Sequence, residues 1–138
     1  MATHSGRLRF STRGDGDVID LTAGVTGVLR TAGVEQGSVT VFVPGATAAI
    51  TTMEFERGGI EDLLASLERL VPRAGDYAHN RLNHDSNSHA HIRAAVVGPS
   101  VAVPVVDGRL ATGTWQQIVL IDFDDRPRER TVIVQVAS

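Results

Sequence analysis

The stretch from Val101 to Val136, VAVPVVDGRLATGTWQQIVLIDFDDRPRERTVIVQV, decides the fold. Val101, Val103 and Val105 recur at every second position, the spacing of a strand with one buried face. Asp107-Gly108 follows as a two-residue hairpin turn. Thr114 to Phe123 and Arg130 to Val136 read as two further strands around the turn Asp124-Asp125-Arg126-Pro127. Strands joined by short turns, with no helix between them, predict a mostly antiparallel sheet.

Outward from this stretch, the N-terminal part supplies helices and more strands. Arg7 to Thr12 alternates, with Leu8 and Phe10 on one face, and predicts a first strand; Gly14 to Asp17 is a turn. Asp20 is placed to cap a helix carrying Leu21, Val25, Val28 and Leu29 and ending near Gly33. Ser38 to Val43 is a β-branched strand stopped by Pro44-Gly45, and Ala46 to Phe55 reads as a further strand or an irregular small-residue segment. Gly59 to about Leu70 is the clearest helix: Ile60, Leu63, Leu64, Leu67, Leu70 and Val71 form one apolar stripe, and Pro72 ends it. Ala90 to Val97 predicts a short helix closed by Gly98-Pro99. The count is about six strands and two or three helices in one domain over residues 1–138, an α+β fold with a β-sandwich-like sheet.

Composition narrows the function classes. The 138 residues include no cysteine, which excludes a disulfide framework or a thiolate site, so any metal must be held by histidine nitrogen and Asp, Glu or Asn oxygen. A net charge of −3 argues against a nucleic-acid partner. No apolar run is long enough for a membrane span, and MATHSGRLRF lacks the apolar region of a signal peptide, so the expected location is the cytoplasm.

Between the two halves lies HNRLNHDSNSHAH, residues 79–91, which holds four of the five histidines and reads as a loop. Imidazole is both a common metal ligand and a group that titrates near neutrality. On an extended segment His89 and His91 would face one way and could chelate one ion. If a helix begins before His89, they diverge by about 200°. The bland reading is a loop of local turns and caps, in which each histidine is a solvated side chain. Outside the stretch, Glu54 at a strand end could supply a carboxylate. Asp122 is placed either for chemistry or for an ion pair with Arg126, Arg128 or Arg130, arginines equally suited to a phosphate. Trp115 is more often core or interface than ligand platform.

Several of these pieces occur in order in one family. YAHN (Tyr77 to Asn80), the N-x-H-x-H of Asn87, His89 and His91, S-x-x-x-P-x-x-x-G-x-L-x-x-G-T-W-Q from Ser100 to Gln116, the acid Asp122, and D-x-P-R-x-R-x-V from Asp125 to Val132 resemble the YjbQ (UPF0047) family. Its members often carry the label secondary thiamine-phosphate synthase enzyme. The resemblance implies an α+β fold, a homotrimer and a polar, metal-capable pocket near the subunit boundary. The implied catalytic groups are His79, Asn80, Asn87, Asp122 and Glu54. Trp115, Gln116 and Arg128 would bind substrate. His89 and His91, joined by the additional imidazole of His84, would hold a divalent metal such as Zn or Mg. Two departures are plain: the family's P-H-T-[ST]-A reads Pro44-Gly45-Ala46-Thr47-Ala48 here, and the asparagine of its I-N-E is Met53. One wall therefore lacks an imidazole and an amide.

The activity implied is the coupling of hydroxymethylpyrimidine diphosphate with thiazole phosphate. The alternative is a non-catalytic trimer that binds a metal or a small phosphorylated metabolite, which the changes at Gly45 and Met53 favour. A metal-dependent hydrolase is a third reading, and it lacks an identifiable base.

Overall fold

A computed structural model of the chain describes residues 2–138. The elements run β1 (Thr3–Thr12), β2 (Asp17–Asp20), α1 (Thr22–Ala32), β3 (Gln36–Phe42), β4 (Ala48–Met53), α2 (Arg57–Leu70), α3 (Ala78–Asn83), α4 (Ser88–Val97), β5 (Ser100–Val106), β6 (Arg109–Leu110), β7 (Gln117–Asp122) and β8 (Arg128–Ala137). A five-stranded sheet has the order β1-β8-β3-β5-β6, and a three-stranded sheet the order β2-β7-β4. Every ladder among the described residues is antiparallel. The α+β class and the antiparallel pairing thus agree with expectation.

The alternating valines do what their spacing dictates. Val39, Val41, Val103, Val105, Val132, Val134 and Val136 of the larger sheet share a core with Ala48, Ile50, Ile118 and Leu120 of the smaller one. Leu21, Val25 and Leu29 of α1 complete it. Burying these three stabilises by roughly 1.5–3 kcal/mol each. That outweighs the cost of about 1 kcal/mol for each of the two glycines in the helix. Gly24 also has a packing reason: a Cβ there would lie 2.8 Å from Leu8 Cδ1.

The smaller sheet is covered on both faces. Along β7, Ile118 and Leu120 join the first core, whereas Val119 and Ile121 turn to a second one with Ala49, Leu67, Ala90, Ala94 and Phe123. A strand buried on both faces reads as an unbroken apolar run, and Ile118 to Ile121 is such a run.

The departures from expectation concern boundaries and connections. Among the described residues there are eight strands and four helices instead of six and two or three. Asp17–Asp20, taken for a turn and a cap, pairs with β7 as a short strand. The strands around Asp124 to Pro127 do not pair with each other: β7 belongs to the smaller sheet and β8 to the larger. Thr114 to Gln116 precede β7 instead of lying in it. Helix α2 begins two residues early because the Glu56 carboxylate accepts from the N–H groups of Gly58 and Gly59. Its apolar stripe is only partly covered, since Leu67 is buried while Leu70 is exposed. The Asp107-Gly108 hairpin is as expected, with both residues at positive φ (51° and 75°), as a type I′ turn requires.

Candidate functional site

The histidine stretch is not a loop. Residues 78–83 form α3, His84 ends it in the left-handed conformation, and α4 begins at Ser88. The start of α4 has a remote cause: Asn80 Oδ1 accepts from Ser88 N at 3.0 Å and supplies the cap that Asn87 does not. Asn80, expected to be catalytic, is therefore committed to a helix end.

This early start separates the histidines. Two helical steps place His89 and His91 about 200° apart. His89 is 1% exposed and sits among buried residues, whereas His91 is half-buried and lines a cavity. His84 is exposed at the end of α3. The three histidines read as metal ligands do not come together within one chain, and no three His, Asp or Glu side chains converge as a metal set among the described residues. The imidazoles that do meet are His79 and His91, with ring centroids 4.6 Å apart.

Beside them lies a buried polar network centred on the β7–β8 link. Asp122 is fully buried and takes a fork from Arg130, Nε to Oδ2 at 2.7 Å and Nη2 to Oδ1 at 2.9 Å. Thr12 donates to the same carboxylate at 2.6 Å. Arg130 Nη2 also donates to Thr47 Oγ1 at 2.7 Å, and that hydroxyl donates onward to Asp124 Oδ2 at 2.9 Å. Asp124, equally buried, accepts from Arg128 Nε at 2.9 Å and from Asn87 Nδ2 at 3.4 Å. Asn87 Oδ1 in turn meets His79 Nε2 at 3.2 Å, and Asp85 Oδ2 lies 3.7 Å from the same nitrogen. A continuous chain of partners thus runs from Thr12 to His79.

The electrostatics follow from this wiring. Burial alone would raise the pKa of Asp124. Hydrogen bonds from Thr47, Arg128, the Asp125 N–H and Asn87 outweigh it and hold the carboxyl at about 2. Asp122 is likewise held below its ordinary value, because Arg130, Thr12 and the Asp124 N–H outweigh desolvation. Both aspartates are anions at neutral pH, and both spend their acceptor sites on protein donors. Of the arginines expected near Asp122, Arg130 forms the ion pair. His89 is shifted downward, by burial first and then by the Arg93 guanidinium. Its Nδ1 is buried without a partner.

The remaining expected site residues lie elsewhere. Ala48 pairs with Asp122 and Met53 with Gln117, so the network and the Gln117 end stand five residues apart, about 17 Å. Glu54, Trp115 and Gln116 belong to that far end. Gln116 spans Gly113 N and Thr52 Oγ1, and Trp115 is 73% exposed. Sequence reasoning missed Thr12, Thr47, Asp124 and Arg93. The period-two run Asp122, Asp124, Arg128, Arg130 was the available signal for a shared charged face. Arg93 is buried by donating to Glu68 and to the Val71 carbonyl, which ties α4 to the end of α2.

The missing side chain at position 45 leaves an opening. Gly45 has φ of 121°, outside the range an L side chain adopts readily. A cavity of about 360 Å³ is lined by Gly45, Ala46, Ala48, His91, Ala94 and neighbouring residues. Arg130 Nη1, which takes no part in the bonds above, faces this position: a Cβ on Gly45 would lie 3.0 Å from it.

These features place the protein among α+β proteins with two antiparallel sheets and a histidine-bearing helix pair. The family model described as "UPF0047 protein YjbQ-like" matches residues 6–138, and the chain belongs to that family. A UPF0047 protein of Archaeoglobus fulgidus is 45% identical over 119 residues, 86% of this chain and 90% of that protein. One from Methanothermobacter thermautotrophicus is 36% identical over 138 residues, covering 100% and 94%. Among solved structures, a YbjQ-like protein of unknown function from Sulfolobus solfataricus P2 superposes with a TM-score of 0.93 at 32% identity, covering 98% of this chain and 96% of that one. A hypothetical protein from Aeropyrum pernix K1 gives 0.91 at 36%, covering 98% of each.

Proposed function

We propose that this protein binds a small phosphorylated metabolite in the cavity beside Gly45, and that it does so as a homotrimer. The observation that carries the reading is the approach of two cationic or cation-capable groups, Arg130 Nη1 and His91, to a small-residue cavity opened by a glycine. An arginine edge suits a phosphate. The cavity volume falls within the roughly 300–1,000 Å³ of small-molecule sites, and its alanine walls suit the carbon part of such a ligand. His84, His89 and His91 stand apart within one chain, so they do not form a single metal site there.

The test is a titration of the full-length protein with inorganic phosphate and pyrophosphate, read by calorimetry. Saturable binding is expected, weakened at least tenfold in His91→Gln and in Ala95→Leu; Ala95 also lines the cavity, and the larger side chain would fill it. The absence of any saturable response overturns the reading.

Thiamine-phosphate-synthase-like coupling is the narrower case. Both of its substrates are phosphorylated, and Arg130 and Arg128 would meet the departing diphosphate. Its test is product formation from hydroxymethylpyrimidine diphosphate and thiazole phosphate, with metal supplied; a rate equal to the protein-free control removes it while leaving binding intact. The trimer is supported by the exposed Trp115 and Val96 and by the separation of Glu54, Trp115 and Gln116 from the network, which a neighbouring subunit could close.

A further inference from the structure

We infer that Asp124 is a positioning residue for His79: acting through Asn87, it fixes His79 in the Nε2–H tautomer and leaves Nδ1 as the ring's only proton-accepting atom. A neutral imidazole carries one proton, and its location depends on which neighbours accept and which donate. Here both sides of the ring are decided by groups that can only accept.

On one side, Asp124 is an anion and accepts only. The end of Asn87 that meets it, at 3.4 Å, is therefore the NH2. The other end of the same amide is then a carbonyl, and it faces His79 Nε2 at 3.2 Å. A carbonyl cannot donate, so Nε2 must carry the hydrogen. Asp85 Oδ2, a further acceptor at 3.7 Å, makes the same demand.

On the other side, Asn83 approaches from one helical turn ahead. Its amide bonds the His79 backbone carbonyl at 3.0 Å, an acceptor that fixes this end as the NH2. The same nitrogen stands 3.5 Å from His79 Nδ1 and presents hydrogen to it. Nδ1 must therefore hold the lone pair. Two independent amides agree on one tautomer.

The functional content lies in where the lone pair is. His79 is about one-third exposed and its ring touches that of His91, which lines the cavity. The lone pair His79 has to offer is the one at Nδ1, on the side of the ring that the Asn83 amide approaches. Asp124 bonds Asn87 and not His79, so its effect on the ring passes through the direction of one amide.

The test is long-range ¹H–¹⁵N correlation on the uniformly ¹⁵N-labelled whole protein above neutral pH, with His79 assigned by the signals lost in His79→Gln. Wild-type His79 should show a pyrrole-type Nε2 and a pyridine-type Nδ1. In Asp124→Asn, residue 124 can also donate, so the direction of Asn87 is no longer fixed; Asn83 and Asp85 still favour the Nε2–H form, and the two His79 nitrogen shifts should move part of the way toward each other. His4, in β1, serves as the unmoved control. Asn87→Ala leaves the Thr47 and Arg128 bonds of Asp124 in place; it removes the carbonyl from Nε2, should give the same partial shift, and carries the test if Asp124→Asn fails to fold. A wild-type Nδ1–H tautomer, or unchanged His79 shifts in the folded variants, overturns the inference. No phosphate enters the measurement, so its outcome is independent of the ligand reading above.

Discussion

His89 is the residue whose placement most changes how the site is read. Taken as a string, Asn87-x-His89-x-His91 offers two ligands to one ion. The helix turns one of them into the protein, where it is a buried neutral imidazole beside Arg93. Because its folded pKa lies below the ordinary value of 6.5, the unfolded chain binds more protons, and stability increases with pH through that window. The full contribution is present above about pH 6.5 and is lost as pH falls toward the lower folded value. Denaturant unfolding at pH 8 and pH 5 should show this loss in the wild type. His89→Leu should flatten the slope between the two, and an unchanged slope would assign the pH dependence to other groups.

At the scale of elements, the β7–β8 link carries the concentrated polar energy of the fold. Among the described residues Arg130 is the sole guanidinium bonded to Asp122, so Arg130→Met leaves a buried carboxylate with Thr12 and a backbone N–H as its donors. The expected loss is about 3–5 kcal/mol, measured by urea unfolding. Asp124 adds an acid-side signature. Its folded value of about 2 lies below its ordinary 3.8, so its contribution is complete above about pH 3.8 and disappears as pH falls through about 2. Asp124→Asn should make acid unfolding shallower across that interval. Helix α2 gives a smaller test: Glu56→Ala removes the carboxylate from Gly58 N and Gly59 N and should cost about 1 kcal/mol.

The same elements show what could be read from the sequence. The valines of β3, β5 and β8 alternate because one face is buried, and periodicity reports burial directly. The start of α4 depends on Asn80, eight residues before Ser88, and no local pattern carries that information. Asp124 looks like turn composition, because Asp-Asp-Arg-Pro is turn composition; its burial follows from two sheets meeting there. Glu54, Trp115 and Gln116 were grouped with the histidines by motif order alone, which is silent about which end of a strand a residue occupies.

For the whole molecule, the single tryptophan offers a direct reading of assembly. Trp115 is 73% exposed in the isolated chain, beyond the ordinary for a side chain of its size and apolarity. If it is covered by a neighbouring subunit, its emission should shift to the red on dilution, in step with a fall in sedimentation coefficient from trimer to monomer. Trp115→Asp should give a monomer at all concentrations. A wild-type protein that sediments as a monomer throughout would place the exposed indole in some other role.

The pairing of β1 with β8 joins Thr3–Thr12 to Arg128–Ala137 across nearly the whole length of the chain. On the ribosome, the first strand therefore waits for the last. Until residues 128–137 emerge, β1 lacks its strand partner, β3 lacks one of its two, Asp122 lacks Arg130 and Asp124 lacks Arg128. The charged network that positions the site can form only after synthesis has passed the final strand, so this protein's site is assembled late, by a long-range closure that is intrinsically slow.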